Sequence, residues 1–362
     1  MKLYARGLAV ALFFLLGAGS AFAIGAGSAF AQAALGSITY LDGDVTIVRD
    51  GAEIDSVAIG QDIQNFDLVK TGADGQVEIA FTSADAPHLT VKVAADTQFS
   101  IEIASLNNGK QQTSVGILGG SLSLKVAKLL GTQELRVRTD SAAMGVRGTE
   151  FTVTAPITGD VLVTCDEGEV VCTDDQGKDL SAIPGTVVEK QPGELYRTVP
   201  VAADGLAQFR TQWSADRDQA LQRNALRIIQ ANARFYLRLS REIDAADAEL
   251  QKSRSILQTW SEEDRRGRVQ MRASLARERR TVGVLLARMR TTQFQLERVS
   301  YRLERLRRLS ERGIGVGSID GGVATAAFFA QVQNERAELQ RKLAETRHVA
   351  KMYARRSEGR LP

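Results

Sequence analysis

Chemistry that needs an imidazole or a thiol has few residues to work with in this sequence. Its 362 residues hold two histidines, His88 and His348, and two cysteines, Cys165 and Cys172. The histidines fall in different predicted domains, so no Ser/His/Asp triad can be built around them. Four such residues also fall short of a multi-ligand transition-metal site. Asp174-Asp175-Gln176-Gly177-Lys178-Asp179 offers carboxylates without the full spacing of a calcium loop and reads as a solvated turn. Gly313-x-Gly315-x-Gly317 has phosphate-loop glycines, but no predicted strand precedes it and no lysine follows. It reads as a flexible connector between helices. No acid/base pair suggests hydrolysis of an envelope polymer. The chain therefore reads as a non-enzyme with no cofactor and no metal.

Arginine is the residue with charge to spend. Residues 205–312 carry 23 Arg and one Lys against 13 acidic side chains. They cluster as Arg265-Arg266-Gly267-Arg268, Arg277-Glu278-Arg279-Arg280 and Arg305-Leu306-Arg307-Arg308. One reading is a solvated helix face with i,i+4 pairs such as Glu304 with Arg308. The other is a surface for an acidic partner, with Arg265, Arg266, Arg268, Arg279, Arg280, Arg307 and Arg308 as its candidates. That partner is an anionic lipid, an acidic envelope polymer, another envelope protein or the chain's own N-terminal half. Nucleic acid would suit such charge, but the export signal described next argues against it. Residues 32–204 hold 12 basic and 25 acidic side chains, a net of −13, against +11 for 205–312. Charges so nearly opposite predict docking of one half on the other, within a chain or between copies, that loosens at high salt.

The elements around these residues set a compartment and two architectures. Lys2 and Arg6 precede the apolar run Leu8–Leu16, and the small-residue sites Ala21-Phe22-Ala23 and Ala29-Phe30-Ala31 follow it. This is the layout of a secretory signal peptide over 1–31, cleaved before Gln32, and it places the mature protein in the periplasm. The alternative is an uncleaved helix that anchors the chain in the inner membrane. From 32 to 203 the chain reads as short strands. Ile38, Val45 and Ile47, then Val77, Ile79 and Phe81, Leu89, Val91 and Val93, and Phe99, Ile101 and Ile103 alternate with polar residues. Further strands are expected at 121–126, 135–139, 150–154, 161–165, 170–173 and 186–190, giving an all-β sandwich or roll. Cys165 and Cys172 would lie on opposite arms of one hairpin with Glu167-Gly168 at its turn. Either a disulfide or two small buried hydrophobes fits that placement.

Beyond residue 204 the period becomes 3.5. Tyr236, Ile243, Leu250 and Leu257 with Leu239, Ala246, Ser253 and Trp260 form one heptad seam. Ser261 and Asp264 suggest a capping box and a fresh helix start. A second seam runs through Leu275, Val282, Met289, Leu296 and Leu303. These give two long coiled-coil helices over 204–312, the first of about 55 residues and about 80 Å. A glycine-rich connector (313–321) and a third helix with its tail (322–362) complete the chain. The fold class is α+β with segregated domains, the helices forming a stalk as a coiled-coil hairpin or three-helix bundle that could also pair copies.

The β half resembles the FecR-domain family from Gly36 to Val201. The stretches that carry it are Asp42-Gly43-Asp44-Val45, Gly60-x-x-Ile63, Asp67-Leu68-Val69-Lys70-Thr71-Gly72 and above all Val146-Arg147-Gly148-Thr149-Glu150-Phe151-Thr152-Val153. Asp140 stands where the family usually has proline. Val146, Arg147, Gly148, Thr149 and Phe151 read as a structural motif. Gly148 serves a positive φ or close packing, and Arg147 spends its donors on carbonyls or on Asp67 or Glu150. The resemblance implies a signalling role in the envelope. It fits a protein-interaction scaffold or sensor or, with an uncleaved helix, a regulator of the sigma-factor and iron-uptake type.

Overall fold

The computed structural model describes residues 34–83, 88–106, 110–127, 133–139, 143–146, 148–173, 176–191 and 194–362. The signal-peptide segment, Asp140, Arg147, Asp174 and Asp175 lie outside them. The described strands are β1 (Gly36–Asp42), β2 (Val45–Arg49), β3 (Ala52–Ile54), β4 (Asp62–Ile63), β5 (Leu68–Thr71), β6 (Gln76–Phe81), β7 (Leu89–Val93), β8 (Gln98–Ser105) and β9 (Gln111–Val126). They continue with β10 (Gln133–Arg138), β11 (Ala143–Val146), β12 (Glu150–Ala155), β13 (Val161–Glu167), β14 (Val170–Thr173), β15 (Asp179–Ala182), β16 (Thr186–Lys190) and β17 (Arg197–Pro200).

Backbone pairing sorts them into two sheets. Sheet A runs β4-β1-β6-β7-β9-β12-β13-β16-β17, antiparallel throughout. Sheet B runs β3-β2-β5-β8-β9-β10-β11-β14-β15, with only β9 and β10 parallel. The sixteen-residue β9 is central to both. Its residues 111–119 pair in sheet B and 120–126 in sheet A. The crossing is at Gly120, where φ is +101° and a Cβ would lie 2.3 Å from Thr97 Oγ1, so only glycine fits. The period-two residues of both sheets, from Ile38 and Ile47 to Phe99 and Phe151, meet in one core between them. Burial of that shared apolar face is what drives the sandwich together.

Four helices follow: α1 (Leu206–Gln251), α2 (Arg254–Arg265), α3 (Leu275–Glu311) and α4 (Thr325–Arg356). The heptad residues Tyr236, Leu239, Ile243, Leu250, Val282, Met289, Leu296 and Leu303 are buried in their common core. Three sequence expectations need correction. The single first helix is broken at Lys252–Ser253 into α1, of 46 residues, and α2, of 12. Ser261 and Asp264 do not start a helix, for α2 runs through both and the Asp264 carboxylate pairs with Arg355 and Arg356. The middle of the glycine connector is packed rather than loose. Cβ atoms at Gly315 and Gly317 would lie 2.7 Å from Ile229 and 2.6 Å from Leu226 of α1.

The cysteine hairpin is also corrected. β13 belongs to sheet A and β14 to sheet B, so Cys165 pairs across from Phe151 and Cys172 from Met144. Both are buried free thiols. The turn residues Glu167 and Gly168 serve a passage between sheets, a path that the local sequence does not distinguish from a hairpin. Burial pushes the Cys165 thiol up to about 11 and the Cys172 thiol up to about 12. Both therefore stay protonated and shielded near neutrality. A thiol-reactive dye at about pH 8 should label neither cysteine in the native protein and both after denaturation. Labelling of the native protein, or none after non-reducing denaturation, would contradict the free buried pair.

Candidate partner-binding interface

The helices lie along the sandwich rather than standing away from it as a stalk, because two outer faces of the sheets are apolar where the helices meet them. On sheet B, Val48, Leu68 and Leu118 form a patch that Phe294 of α3 covers. β9 makes the approach close by omitting side chains. A Cβ at Gly116 would lie 2.7 Å from the Phe294 ring, and one at Gly119 would lie 2.1 Å from the Tyr301 ring. The Tyr301 hydroxyl donates to the Asp96 carbonyl, and its burial pushes its pKa up to about 12. On sheet A, Leu162 and Val187 receive Trp213 from the start of α1. The Trp213 indole N–H donates to Glu189 Oε2 at 2.7 Å.

Ion pairs rim these contacts. Arg305 meets Asp96 and Arg290 meets Glu102 from α3. Lys351 of α4 meets Asp50 at 2.5 Å, and Arg217 and Arg210 of α1 meet Asp160 and Asp166 at 2.8 and 3.2 Å. The basic helices thus dock on the acidic sandwich within one chain. Clefts remain along the seam among the described residues. A cleft of about 650 Å³ opens between α3 and β8–β11, with Ser100, Ser114, Arg138, Ala143, Ala287 and Phe294 in its walls. Arg138 stacks on the Phe294 ring across it, 5.6 Å from the centroid. A second, of about 370 Å³, lies between β2, β5, α3 and α4 with Lys70, Glu53, Arg308 and Arg336 at its walls. The Lys70 ammonium, 2.8 Å from Glu53, holds that carboxyl below its usual range.

The sequence-selected arginines separate. Arg265, Arg266, Arg268 and Arg280 are exposed around the α2–α3 turn. Arg279 donates to the Arg356 carbonyl at 2.9 Å, and Arg307 pairs with Glu304 at 2.7 Å and also with Glu311. Arg308 lies 3.6 Å from Glu304. Arg307 and Arg308 therefore stand at the other end of α3 from the exposed group, and the seven do not form one surface.

The described residues of the Val146–Phe151 motif line neither cleft and sit at the passage from sheet B to sheet A. Val146 ends β11, Gly148 has a φ of +63°, and Thr149 and Phe151 are buried. The return passage stacks upon it, since a Cβ at Gly168 would lie 2.7 Å from Thr149 Cγ2. Asp67 is wholly buried and held by Arg49, with contacts of 3.0 and 2.7 Å, while Glu150 pairs with Lys125 at 2.8 Å. The two carboxylates expected near Arg147 thus have partners of their own. The residues that seat the helices, Gly116, Gly119, Phe294 and Tyr301, escaped the sequence reading. Their signal is the glycine placement in Val115-Gly116-Ile117-Leu118-Gly119-Gly120.

Comparison with known proteins agrees with the β half. Residues 67–171 match the family described as FecR protein, a stretch from the start of β5 into β14. No curated protein matches the chain. Two crystal structures described as a "putative anti-sigma factor" from Parabacteroides distasonis are similar over 39% of this chain, at 15% and 14% identity and a TM-score of 0.32 each. The likeness spans 62% and 63% of those chains, less than two thirds of their length.

The seating of α3 is open to a paired test. Gly116→Val should destabilise the protein by about 1–3 kcal/mol, because the Phe294 ring must move. Gly145→Val, on β11 of the same sheet with open space around it, should change stability by less than about 0.5 kcal/mol. Denaturant unfolding checks both; equal effects would remove α3 from the surface of β9.

Proposed function

We propose that this chain, which carries a FecR domain over residues 67–171, is a non-enzymatic regulatory or sensor protein of the cell envelope. In this reading a protein partner binds the sandwich along the cleft beside α3, and the docked helices set how much of sheet B the partner reaches. The observation that carries it is that this cleft, about 650 Å³ in volume, is floored by strands of the matched domain and walled by a helix outside it. A partner that enters must contact both units and can therefore report on their docking. Arg138 and Phe294 offer a cation and an aromatic face there, a pairing frequent at protein interfaces. Export to the periplasm, with the mature chain starting at Gln32, belongs to the same reading and rests on the N-terminal layout.

A photo-crosslinking residue at Ala143 or Ala287, on the two sides of the cleft, should trap a discrete envelope protein in cells. The same residue at Lys92, exposed on sheet A, should not. The exported chain should begin at Gln32 on N-terminal sequencing. Adducts formed equally at Lys92, or none at either cleft position, would refute the binding site. A chain that retains Met1 would favour the membrane-anchored regulator instead.

A further inference from the structure

The α2–α3 turn and the first turns of α3 form an apex where arginines outnumber the described carboxylates that pair with them. Residues 265–288 hold eight arginines and one acidic residue, Glu278. Glu278 is already engaged, by Arg272 at 2.5 Å and by the Trp260 indole N–H at 2.9 Å. Glu263 and Asp264 just before the turn are likewise taken by Arg356, at 2.9 Å each. That network fixes the turn from below and uses up the nearby carboxylates. Arg265, Arg268, Arg277, Arg280 and Arg288 are exposed and make no ion pair among the described residues. Farther along α3 the arginines that face the sandwich find Glu102 and Asp96. The five apex arginines find no such carboxylate among the described residues.

Two apolar side chains are exposed with them. Met271, within the turn, is 89% exposed, and Val284 is 70% exposed. Arg277, Arg280, Val284 and Arg288 follow one another at spacings of three, four and four, so they share one ridge of α3 opposite buried Val282, Leu286 and Met289. Cations that flank uncovered apolar side chains match the boundary between anionic headgroups and acyl chains, where charge attracts and the apolar groups insert. An acidic polymer would use the arginines and leave Met271 and Val284 in water.

We propose that this apex is a peripheral docking surface for anionic lipid bilayers, with Arg265, Arg268, Arg277, Arg280 and Arg288 against the headgroups and Met271 and Val284 among them. The surface is separate from the cleft beside α3 and does not depend on the partner assigned there.

The mature chain, residues 32–362, should co-sediment with vesicles containing one third phosphatidylglycerol and not with pure phosphatidylcholine. The triple variant Arg265→Gln/Arg268→Gln/Arg280→Gln should lose affinity by about tenfold or more. Met271→Ser should lose a few-fold, and Arg223→Gln/Arg227→Gln, which changes exposed arginines of α1, should bind as the parent does. All are surface changes, so their melting temperatures should agree. Should the triple variant unfold early, the parent's loss of binding in about 1 M salt tests the same attraction. No binding to anionic vesicles, equal binding to both vesicle types, or undiminished binding by a folded triple variant would overturn the proposal. So would binding to polyglutamate that exceeds vesicle binding and ignores Met271→Ser, which would mark an acidic-polymer site.

Discussion

The arrangement of the helical half depends on how closely α3 approaches β9. A helix packed on a sheet is normally held off by the side chains of the strand beneath it. Here Gly116 and Gly119 have none, so Phe294 and Tyr301 take the vacated space and rest on the backbone. That contact fixes the height and direction of α3. Because α3 is packed between α1 and α4, it fixes them as well. Trp213 at the start of α1 makes a second attachment on the opposite sheet, and the sandwich is gripped from both outer faces.

Opposite net charge on the two halves gives a preference for docking without specifying its geometry. The ion pairs that cross the seam are few, and most are partly solvated, so each is worth little alone. What they add is register. Arg305 and the Tyr301 hydroxyl both meet Asp96, one through its carboxylate and the other through its carbonyl, while Lys351 of α4 reaches Asp50. The apolar seats supply contacts that salt does not screen. The loosening at high salt expected from charge alone is therefore opposed by Phe294, Tyr301 and Trp213.

Much of the fold was legible because burial imposes a period. Most of the alternating residues along the early strands lie in the sandwich core, and most of the heptad residues lie in the helical core. The failures occurred where a local signal had two structural meanings. Glu167-Gly168 suits a hairpin and equally suits a passage between sheets, and only the long-range pairing of β13 with β16 and of β14 with β11 distinguishes them. Ser261 has the spacing of a helix cap but lies inside α2, whose place is set by Trp260 and the Arg356 cluster. The first half of β9 was missed because its glycines weaken a strand signal, and their purpose appears only with the helix above them. The arginine clusters were visible as charge; which of them are spent on the sandwich is a property of the packed chain.

Small-angle scattering from the mature chain tests the docked arrangement most directly. Docking predicts a compact particle with a single-peaked distance distribution that is unchanged between low salt and about 1 M, where the Debye length has fallen to about 3 Å. A distance distribution with a long second shoulder, as a sandwich on a projecting stalk of about 80 Å would give, or a radius that grows with salt, would contradict it.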